Sequence, residues 1–349
     1  MAKRQFPVTT LFNANYQLAA LFQDIKIFIT LRFSPNLHIL NRTIGTFTGS
    51  QHGALIIVIG AMHGNEPVGV HALKHLFEMF EKEKTHNSNF IFEGRLVGFI
   101  GNKEAFSRQK RFINVDLNRQ LLPEKITALR RHPPQYKADF EDVELLELLQ
   151  DIDYQILTYK PSRLIVLDIH STSAEGGIFT IVGDAAPSLD LAMQLHTPVV
   201  RGMIGSVGGS TLHYFTEKNM HLPTIALAFE AGQHDEILSI NRAFTWIMGV
   251  LQAIKAISPD DLSFTDNHIL KNYSRDLPKI VELIYAHHIV PSDNFEMLPN
   301  FKNFQPIQKG DILARDRHGD IVSPHDCRIL MPLYQPQGSD GFFLINDIK

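Results

Sequence analysis

Two side chains that can bind a metal ion, His63 and Glu66, come directly after an apolar run at residues 55–59. Four of the five residues in this run are β-branched, which predicts a strand buried on both faces. Gly64 and Pro67 then permit a tight turn that leads into a helix. Because α/β proteins place binding and catalytic groups at the carboxyl ends of buried strands, we expect chemistry at this turn.

Two more groups of this kind follow later core strands. His170 comes shortly after the strand predicted at 164–167, and Glu230 comes directly after another apolar run. A catalytic zinc site usually has three protein ligands and one open position, and two histidines with one glutamate are a known ligand set. His63, Glu66 and His170 are therefore the predicted ligands of one zinc ion per chain, the third lying 104 residues after the second.

Two acids near these ligands, Glu230 and Asp168, have candidate roles. A zinc site of this type lowers the pKa of a water molecule and polarises a carbonyl, and a carboxylate must then carry the proton to the leaving nitrogen. Glu230 fits that role, since nothing in the core explains an acid directly after an apolar strand. Asp168 would lie on the same side of its strand as His170 and could accept the second N–H of that imidazole. An aspartate that only caps the strand end is the alternative.

Each of these signals is weak when it is taken alone. The pattern His-x-x-Glu arises by chance in a chain with 17 His. His170 alone also fits a hydrogen-bonded histidine at a strand end. Arg111, Asn118 and Arg119 alone fit a solvated basic loop. His71 and His75 are four residues apart, but no acid follows them in a recognised pattern, so we expect surface or packing residues. The prediction depends on all the groups occurring in order.

Apolar runs and helical periods predict the elements that must position these groups. Strands are predicted at 44–48, 54–60, 95–100, 164–167, 178–182 and 225–229. Helices are predicted at 67–80, 141–157, 187–195 and 237–257, and loops at 130–134 and 202–209. After a boundary near 258–266, short runs separated by Gly, Pro and Asp predict a small β-rich domain. These runs lie at 280–284, 311–313, 328–331 and 342–345.

Composition limits the class of protein. The chain has 349 residues, a formal net charge of −4 and 44% hydrophobic residues, which allows one large domain and a smaller one. This charge gives no indication of nucleic acid or of a membrane surface as a partner. No signal peptide is evident, and no run approaches the roughly 20 apolar residues of a membrane span. Cys327 is the only cysteine, which excludes an intrachain disulfide. A cytoplasmic protein is predicted. Whether it forms a homo-oligomer stays open.

Four short motifs occur in order along the chain. They are His63-Gly64-Asn65-Glu66, Asp116-Leu117-Asn118-Arg119, Asp168-Ile169-His170-Ser171-Thr172 and Glu230-Ala231-Gly232. Together they resemble the succinylglutamate desuccinylase/aspartoacylase family, whose members are zinc-dependent amidohydrolases related in fold to the zinc carboxypeptidases. The resemblance covers roughly residues 42–260 and, weakly, the C-terminal region.

The resemblance implies an α/β fold with a mixed, mostly parallel central sheet flanked by helices. The predicted division is an N-terminal extension of uncertain structure at 1–41, a catalytic domain at 42–260 and a smaller β-rich domain at 261–349. The β-rich domain would fold over the entrance of the site.

The resemblance also implies a role for each matching residue. His63, Glu66 and His170 would bind zinc, and Glu230 would act first as general base and then as general acid. Arg111 would polarise the scissile carbonyl and stabilise the oxyanion, a role that suits a fixed cation.

Further residues would bind the substrate, a small N-acyl amino acid. Asn118 and Arg119 would hold its carboxylate, since a planar guanidinium binds two oxygens at once. Lys218 is the candidate for an additional substrate contact.

Two departures from the family concern substrate choice. Aspartoacylases carry a further Arg shortly before the catalytic Glu, where this chain has only Lys218 and His221. They also carry a Tyr in the C-terminal domain, whereas residues 338–342 here contain none and the nearest is Tyr334. The specificity for N-acetyl-aspartate is therefore open. A carboxypeptidase-like or other small-amide hydrolase, and a non-catalytic zinc- or ligand-binding protein on the same scaffold, are the alternatives.

Overall fold

A computed structural model of the chain describes residues 40–134, 140–258 and 268–348. The predicted N-terminal extension at 1–41 and the predicted boundary at 258–266 lie almost wholly outside these residues. The division into a catalytic and a β-rich domain therefore stays a prediction. None of the helices in the described ranges is long and apolar enough to cross a membrane.

The strands of the described chain form two sheets. Their bounds are β1 Thr43–Thr48, β2 Gln51–Gly60, β3 Glu93–Ile100, β4 Leu164–Thr172, β5 Phe179–Val182, β6 Val199–Arg201, β7 Thr224–Gln233, β8 Ile280–His288, β9 Glu296–Met297, β10 Pro306–Ile307, β11 Ile312–Asp316, β12 Gly319–Val322, β13 Cys327–Leu330 and β14 Asp340–Asp347. The large sheet has 11 strands in the order β1-β3-β2-β4-β7-β5-β6-β8-β14-β13-β10. The small sheet has the order β12-β11-β9 and is antiparallel.

Helices flank the large sheet, which confirms the predicted α/β class. Their bounds are α1 Val68–His86, α2 Lys103–Ser107, α3 Pro123–Arg131, α4 Phe140–Tyr159, α5 Ala186–Ala192, α6 Met203–Ser206, α7 Thr211–Tyr214, α8 Glu217–Met220, α9 Ile237–Ala253 and α10 His268–Tyr273. Two 3-10 turns lie at Leu117–Arg119 and Pro291–Asp293.

The centre of the sheet positions the candidate site. Strands β3, β2, β4 and β7 run parallel to one another, so their carboxyl ends share one edge. Residues of α1 and α9 cover one face of this part of the sheet, and residues of α4 cover the other. Coverage of both faces explains why these strands are nearly continuous apolar runs. In the register of β4 against β7, His170 is paired with Glu230.

Each predicted core strand is present, but β4 and β7 continue further than predicted. The apolar runs end at Leu167 and Phe229, whereas the strands continue to Thr172 and Gln233. Polar residues continue the strands because they pair across the ladder, as His170 does with its partner on β7. The predicted metal ligand on β4 therefore lies within a strand and not on the loop after it.

Two loop predictions were partly wrong. Arg130 and Arg131 belong to α3, and residues 203–206 form α6. A helix of four residues is too short to show an apolar period in the sequence. In the remaining loop, Gly209 has a φ of +72°, and a Cβ there would lie 2.3 Å from the carbonyl oxygen of Arg119. This close contact fixes the loop against the Arg119 segment.

The C-terminal part is rich in strands, as predicted, and several of these strands continue the large sheet. β8 pairs parallel with β6, and β14, β13 and β10 follow by antiparallel pairing. A buried apolar cluster that includes Phe179, Met203 and Phe343 joins this part of the sheet to β5 and α6. Side chains of β14 are thereby placed close to the carboxyl end of β7.

The only tryptophan of the chain, Trp246 on α9, packs under β7. Its ring stacks on Phe229 with 4.9 Å between the ring centroids. Its indole N–H donates to the hydroxyl of Thr180 over 2.9 Å, so that the buried polar atom is satisfied. Because Phe229 directly precedes Glu230, this stack supports the end of the strand that carries the predicted general base.

Candidate metal centre and active site

The turn after β2 carries His63 and Glu66, and a glycine allows it to lie against a neighbouring segment. A Cβ on Gly64 would lie 2.1 Å from the carbonyl carbon of Ala105, so a larger residue does not fit there. The amide of Gly64 donates to the carbonyl oxygen of Arg111 over 3.1 Å. The turn and the segment that carries Arg111 are therefore fixed to each other.

The three predicted metal ligands lie together at the carboxyl ends of β2 and β4. Their donor atoms are within 4.8 Å of one another, and all three side chains are buried. Nδ1 of His63 lies 2.9 Å from Oε1 of Glu66, and Nδ1 of His170 lies 2.9 Å from Oε2 of the same carboxylate. Two imidazole nitrogens thus face one carboxylate, and this donor set could bind a metal ion.

Each of these histidines also has a carboxylate at its other ring nitrogen. Oδ2 of Asp168 lies 2.9 Å from Nε2 of His170, which is the contact that the strand geometry suggested. Oδ1 of Asp116 lies 3.0 Å from Nε2 of His63. Sequence reasoning gave Asp116 no role, because 53 residues separate it from its histidine. Acids in such positions fix the tautomer and the orientation of a ligand imidazole.

Mutual pairing determines the charges in this cluster. Burial alone would raise the pKa of Glu66, but His63 and His170 outweigh it and hold the pKa well below its usual value. Burial alone would lower the pKa of His170, but Asp168 and Glu66 outweigh it and raise the pKa well above its usual value. Glu66 is therefore ionised at neutral pH, which is the form that binds a cation.

Glu230 is placed beside these ligands without a partner of its own. It is 4% exposed, and its Oε2 has no hydrogen-bond partner among the described residues. Burial raises the pKa of Glu230 to about 7, although the charge of His170 opposes the shift. A carboxyl group with this pKa exchanges a proton near neutral pH, as a general base that later acts as an acid must do.

Arg111 lies in the same site and is held by two acids. Its Nη1 donates to Oε1 of Glu66 over 3.1 Å, and its Nη2 donates to Oδ2 of Asp116 over 3.3 Å. Its Nε is buried and has no hydrogen-bond partner within the described ranges. A fixed cation that still has free N–H groups is suited to an oxygen that gains negative charge.

Asn118 and Arg119 also lie in the site, but both already have partners. Oδ1 of Asn118 accepts from the amide and the hydroxyl of Thr211, each over 3.0 Å, and its Nδ2 is 3.4 Å from Nε2 of His170. Nη2 of Arg119 donates to Oδ2 of Asp340 over 2.5 Å, and its Nη1 donates to the carbonyl oxygen of Asn118 over 2.8 Å. The C-terminal region therefore supplies an acid to the arginine that was expected to hold the substrate.

The structure does not bring Lys218 to this cluster. Lys218 and His221 are exposed on and after α8, and the hydroxyl of Tyr334 is hydrogen-bonded within the C-terminal region. Among the residues that border the cavities beside the metal ligands, none of these three occurs. A substrate contact by Lys218 stays a prediction. His71 and His75 are exposed on α1, as expected for surface residues.

Two adjoining cavities that open to solvent lie beside the cluster. Both are bordered by His63, Arg111, Arg119 and Glu230. The smaller, which we call the polar cavity, also has Ser171, Thr172, Ser173, Gln335 and Asp340 on its wall. The larger, which we call the apolar cavity, is bordered by Ile181, Met203, Ile204, Val207, Leu212 and Phe343.

Glu141 on α4 positions the segment that carries Arg111. Its side chain is fully buried, and its carboxylate accepts from the backbone amides of Ile113, Asn114 and Val115 over 2.7, 3.0 and 3.3 Å. Sequence reasoning treated Glu141 only as the start of a helix. The only sequence signal for this role was an acid in the first turn of a helix with a strong apolar face. Many helices have such an acid, so the signal is not specific.

The fold and the site together define the class: an α/β protein with a buried His-Glu-His cluster and an unpartnered acid at the ends of parallel strands. A sequence model of the succinylglutamate desuccinylase/aspartoacylase catalytic domain matches residues 52–244. The chain belongs to this family, as its motifs predicted, and the matches support an amidohydrolase.

Relatives and solved structures agree with this assignment. A probable aspartoacylase of Nostoc sp. is 22% identical over 296 residues, which are 80% of this chain and 90% of the relative. An N-acyl-aromatic-L-amino acid amidohydrolase (carboxylate-forming) of Xenopus tropicalis is 31% identical over 154 residues, 43% of this chain and 45% of the relative. The crystal structure of a succinylglutamate desuccinylase/aspartoacylase from Rhodobacter sphaeroides has a TM-score of 0.59 at 15% identity, covering 86% of this chain and 88% of that one. This structure supports the fold.

Proposed function

We propose that the protein is a zinc-dependent amidohydrolase that cleaves the amide bond of a small N-acyl amino acid. The observation that supports it most is the position of Glu230, a buried acid without a described partner, beside three converging metal-ligand side chains. Two imidazoles and one carboxylate are a ligand set of catalytic zinc, and they leave a coordination position for water or substrate.

Features of the chain itself fit a divalent cation at His63, Glu66 and His170. Glu66 is held in its ionised form, and each histidine has an acid behind it that orients the ring. Zinc at these residues would lower the pKa of a water molecule and polarise a carbonyl group.

The remaining chemistry falls to three side chains. Glu230 accepts the proton of the attacking water and then donates it to the amide nitrogen, so that the C–N bond breaks to give a carboxylate and a free amine. Arg111, which Glu66 and Asp116 hold in place, supplies a fixed positive charge for the oxygen that becomes negative. Arg119 binds the carboxylate of the substrate with N–H groups that Asp340 and Asn118 leave free.

The relatives support this substrate class at a coarse level. One is a probable aspartoacylase, and another is an amidohydrolase of N-acyl aromatic amino acids. Both descriptions concern an acylated amino acid, although they differ in its side chain.

The test is metal analysis of the purified protein, combined with measurement of free amine released from a panel of N-acyl amino acids. We expect about one zinc ion per chain, and turnover that a chelator abolishes and added zinc restores. Protein that binds no zinc would overturn the assignment of His63, Glu66 and His170 as ligands. Zinc-loaded protein that releases no amine from the whole panel would overturn the proposed substrate class.

A further inference from the structure

The apolar cavity has few polar groups beyond those already assigned to catalysis. Its wall is formed by side chains such as Ile181, Ile204 and Val207, which are half-buried and border the open space. Ser210 also borders it, but its hydroxyl oxygen accepts from the backbone amide of His213 at the start of α7. A group that enters this cavity therefore meets carbon atoms on the side away from the metal ligands.

The cations that border the two cavities can bind one carboxylate of a substrate but not two. Apart from the histidines of the metal cluster, the cations bordering the described cavities are Arg111 and Arg119. Arg111 already pairs with two acids, and Lys218 is exposed elsewhere. A second carboxylate on the substrate would be buried without a cation and close to Glu230, which is costly.

Asp340 further disfavours a second carboxylate on the substrate. It opens β14 in the stretch 338–342, its side chain is 10% exposed, and one of its oxygens accepts from Arg119. Its other oxygen lies 2.7 Å from Nδ1 of His288. An acid at this place neutralises part of the charge of Arg119 and repels a further anion.

From this geometry we infer that the preferred substrate has a single carboxylate and an apolar group that fills the apolar cavity. The inference rests on the proposed amide hydrolysis and narrows its substrate class. Asp340 and Val207 are then specificity-determining residues: the first opposes a second carboxylate, and the second belongs to the surface that receives the apolar group. The apolar group can be the amino-acid side chain or the acyl chain.

The experiment compares kcat/KM of the zinc-loaded full chain on matched substrates. N-acetyl-leucine against N-acetyl-aspartate varies the side chain, and N-hexanoyl-glycine against N-succinyl-glycine varies the acyl chain. We expect the apolar member of at least one pair to be preferred by about tenfold or more. The pair with the larger ratio identifies which part of the substrate occupies the apolar cavity.

Two variants test the residues, each with a matched control. Val207→Arg places a cation on the wall of the cavity, and the preference for the apolar substrate should fall about tenfold or more. Val322→Arg, the same change at an exposed position of β12, should leave this preference unchanged.

Asp340→Asn should raise kcat/KM on N-acetyl-aspartate relative to N-acetyl-leucine, also by about tenfold. Its control is Asp347→Asn, which lies on the same strand as Asp340 and breaks a surface ion pair with Arg328. This variant should not change the ratio.

The outcomes separate this inference from the proposed function. Faster turnover of N-acetyl-aspartate and N-succinyl-glycine by the wild-type enzyme would overturn the inference and leave amide hydrolysis in place. Ratios in Asp340→Asn and Val207→Arg that match their controls would also overturn it. Release of no amine from any of the four substrates would overturn the proposed function, and the inference would fall with it.

Discussion

The metal-ligand edge of the sheet and the wall of the apolar cavity border the same site, but they are built differently. At the edge, each ligand histidine has a buried carboxylate behind it, and His170 also lies in a strand ladder beside Glu230. The wall combines half-buried side chains, such as Ile204 on α6, with buried ones, such as Phe343. Arg119 borders the same cavity and pairs with Asp340. The proposed chemistry, which depends on exact positions, is thus supported by two layers of contacts. The surface proposed to select the substrate lacks the second layer of buried carboxylates.

The largest effect is expected when Glu230 loses the carboxylate group that accepts a proton. Glu230→Gln keeps the size of the side chain, and kcat should fall about 10²–10⁴-fold because proton transfer is lost. Zinc content, measured by metal analysis, should stay the same. Glu217→Gln, at an exposed position of α8, is the control and should retain its activity. Near-normal turnover in the Glu230 variant would remove this residue from the mechanism.

A smaller effect is expected from the acids behind the ligands. Asp168→Asn removes the negative charge that faces Nε2 of His170, so the affinity for zinc should fall about 10–100-fold. Competition with a chromophoric chelator measures the dissociation constant. Asp320→Asn, which breaks an exposed ion pair with Arg315, should leave the affinity unchanged. An unchanged zinc affinity in the Asp168 variant would mean that this acid supports only the fold. The edge would then lack the second layer of contacts that distinguishes it from the wall of the apolar cavity.

The smallest effect is expected from Glu141, which holds the backbone of the 113–115 segment, and it concerns the stability of the protein. Glu141→Gln leaves a backbone amide of the 113–115 segment opposite an NH₂ group, which should lower the free energy of unfolding by about 1–3 kcal/mol. Urea denaturation measures this loss, with the exposed Glu78→Gln on α1 as control. A variant as stable as the control would show that Glu141 does not hold the segment.

Local sequence patterns predicted one part of the edge, the turn after β2. The buried run of β2 followed by Gly64 and Pro67 predicted both the strand and the turn, because glycine and proline limit the backbone in known ways. The polar ends of β4 and β7 were not predicted as strand, since residues such as His170 are held there by ladder partners and not by their own propensity.

The wall could not be predicted in the same way. Helices of four residues, such as α6, carry no readable period. The contact of Arg119 with Asp340 joins residues 221 positions apart, and no local pattern encodes it. Lys218 was selected from the family's pattern near the catalytic Glu, and the structure places it on an exposed helix. Contacts between distant segments become visible only when the chain is folded.

The stacking of Trp246 on Phe229 has a practical consequence. Since no other tryptophan is present, the tryptophan fluorescence of the folded protein comes from one indole that is fully buried under the strand carrying Glu230. Separation of α9 from β7 would expose this indole to water and shift its emission to longer wavelengths. The chain therefore carries an intrinsic optical reporter beneath the strand of Glu230, and loss of activity on heating can be compared directly with loss of packing at that place.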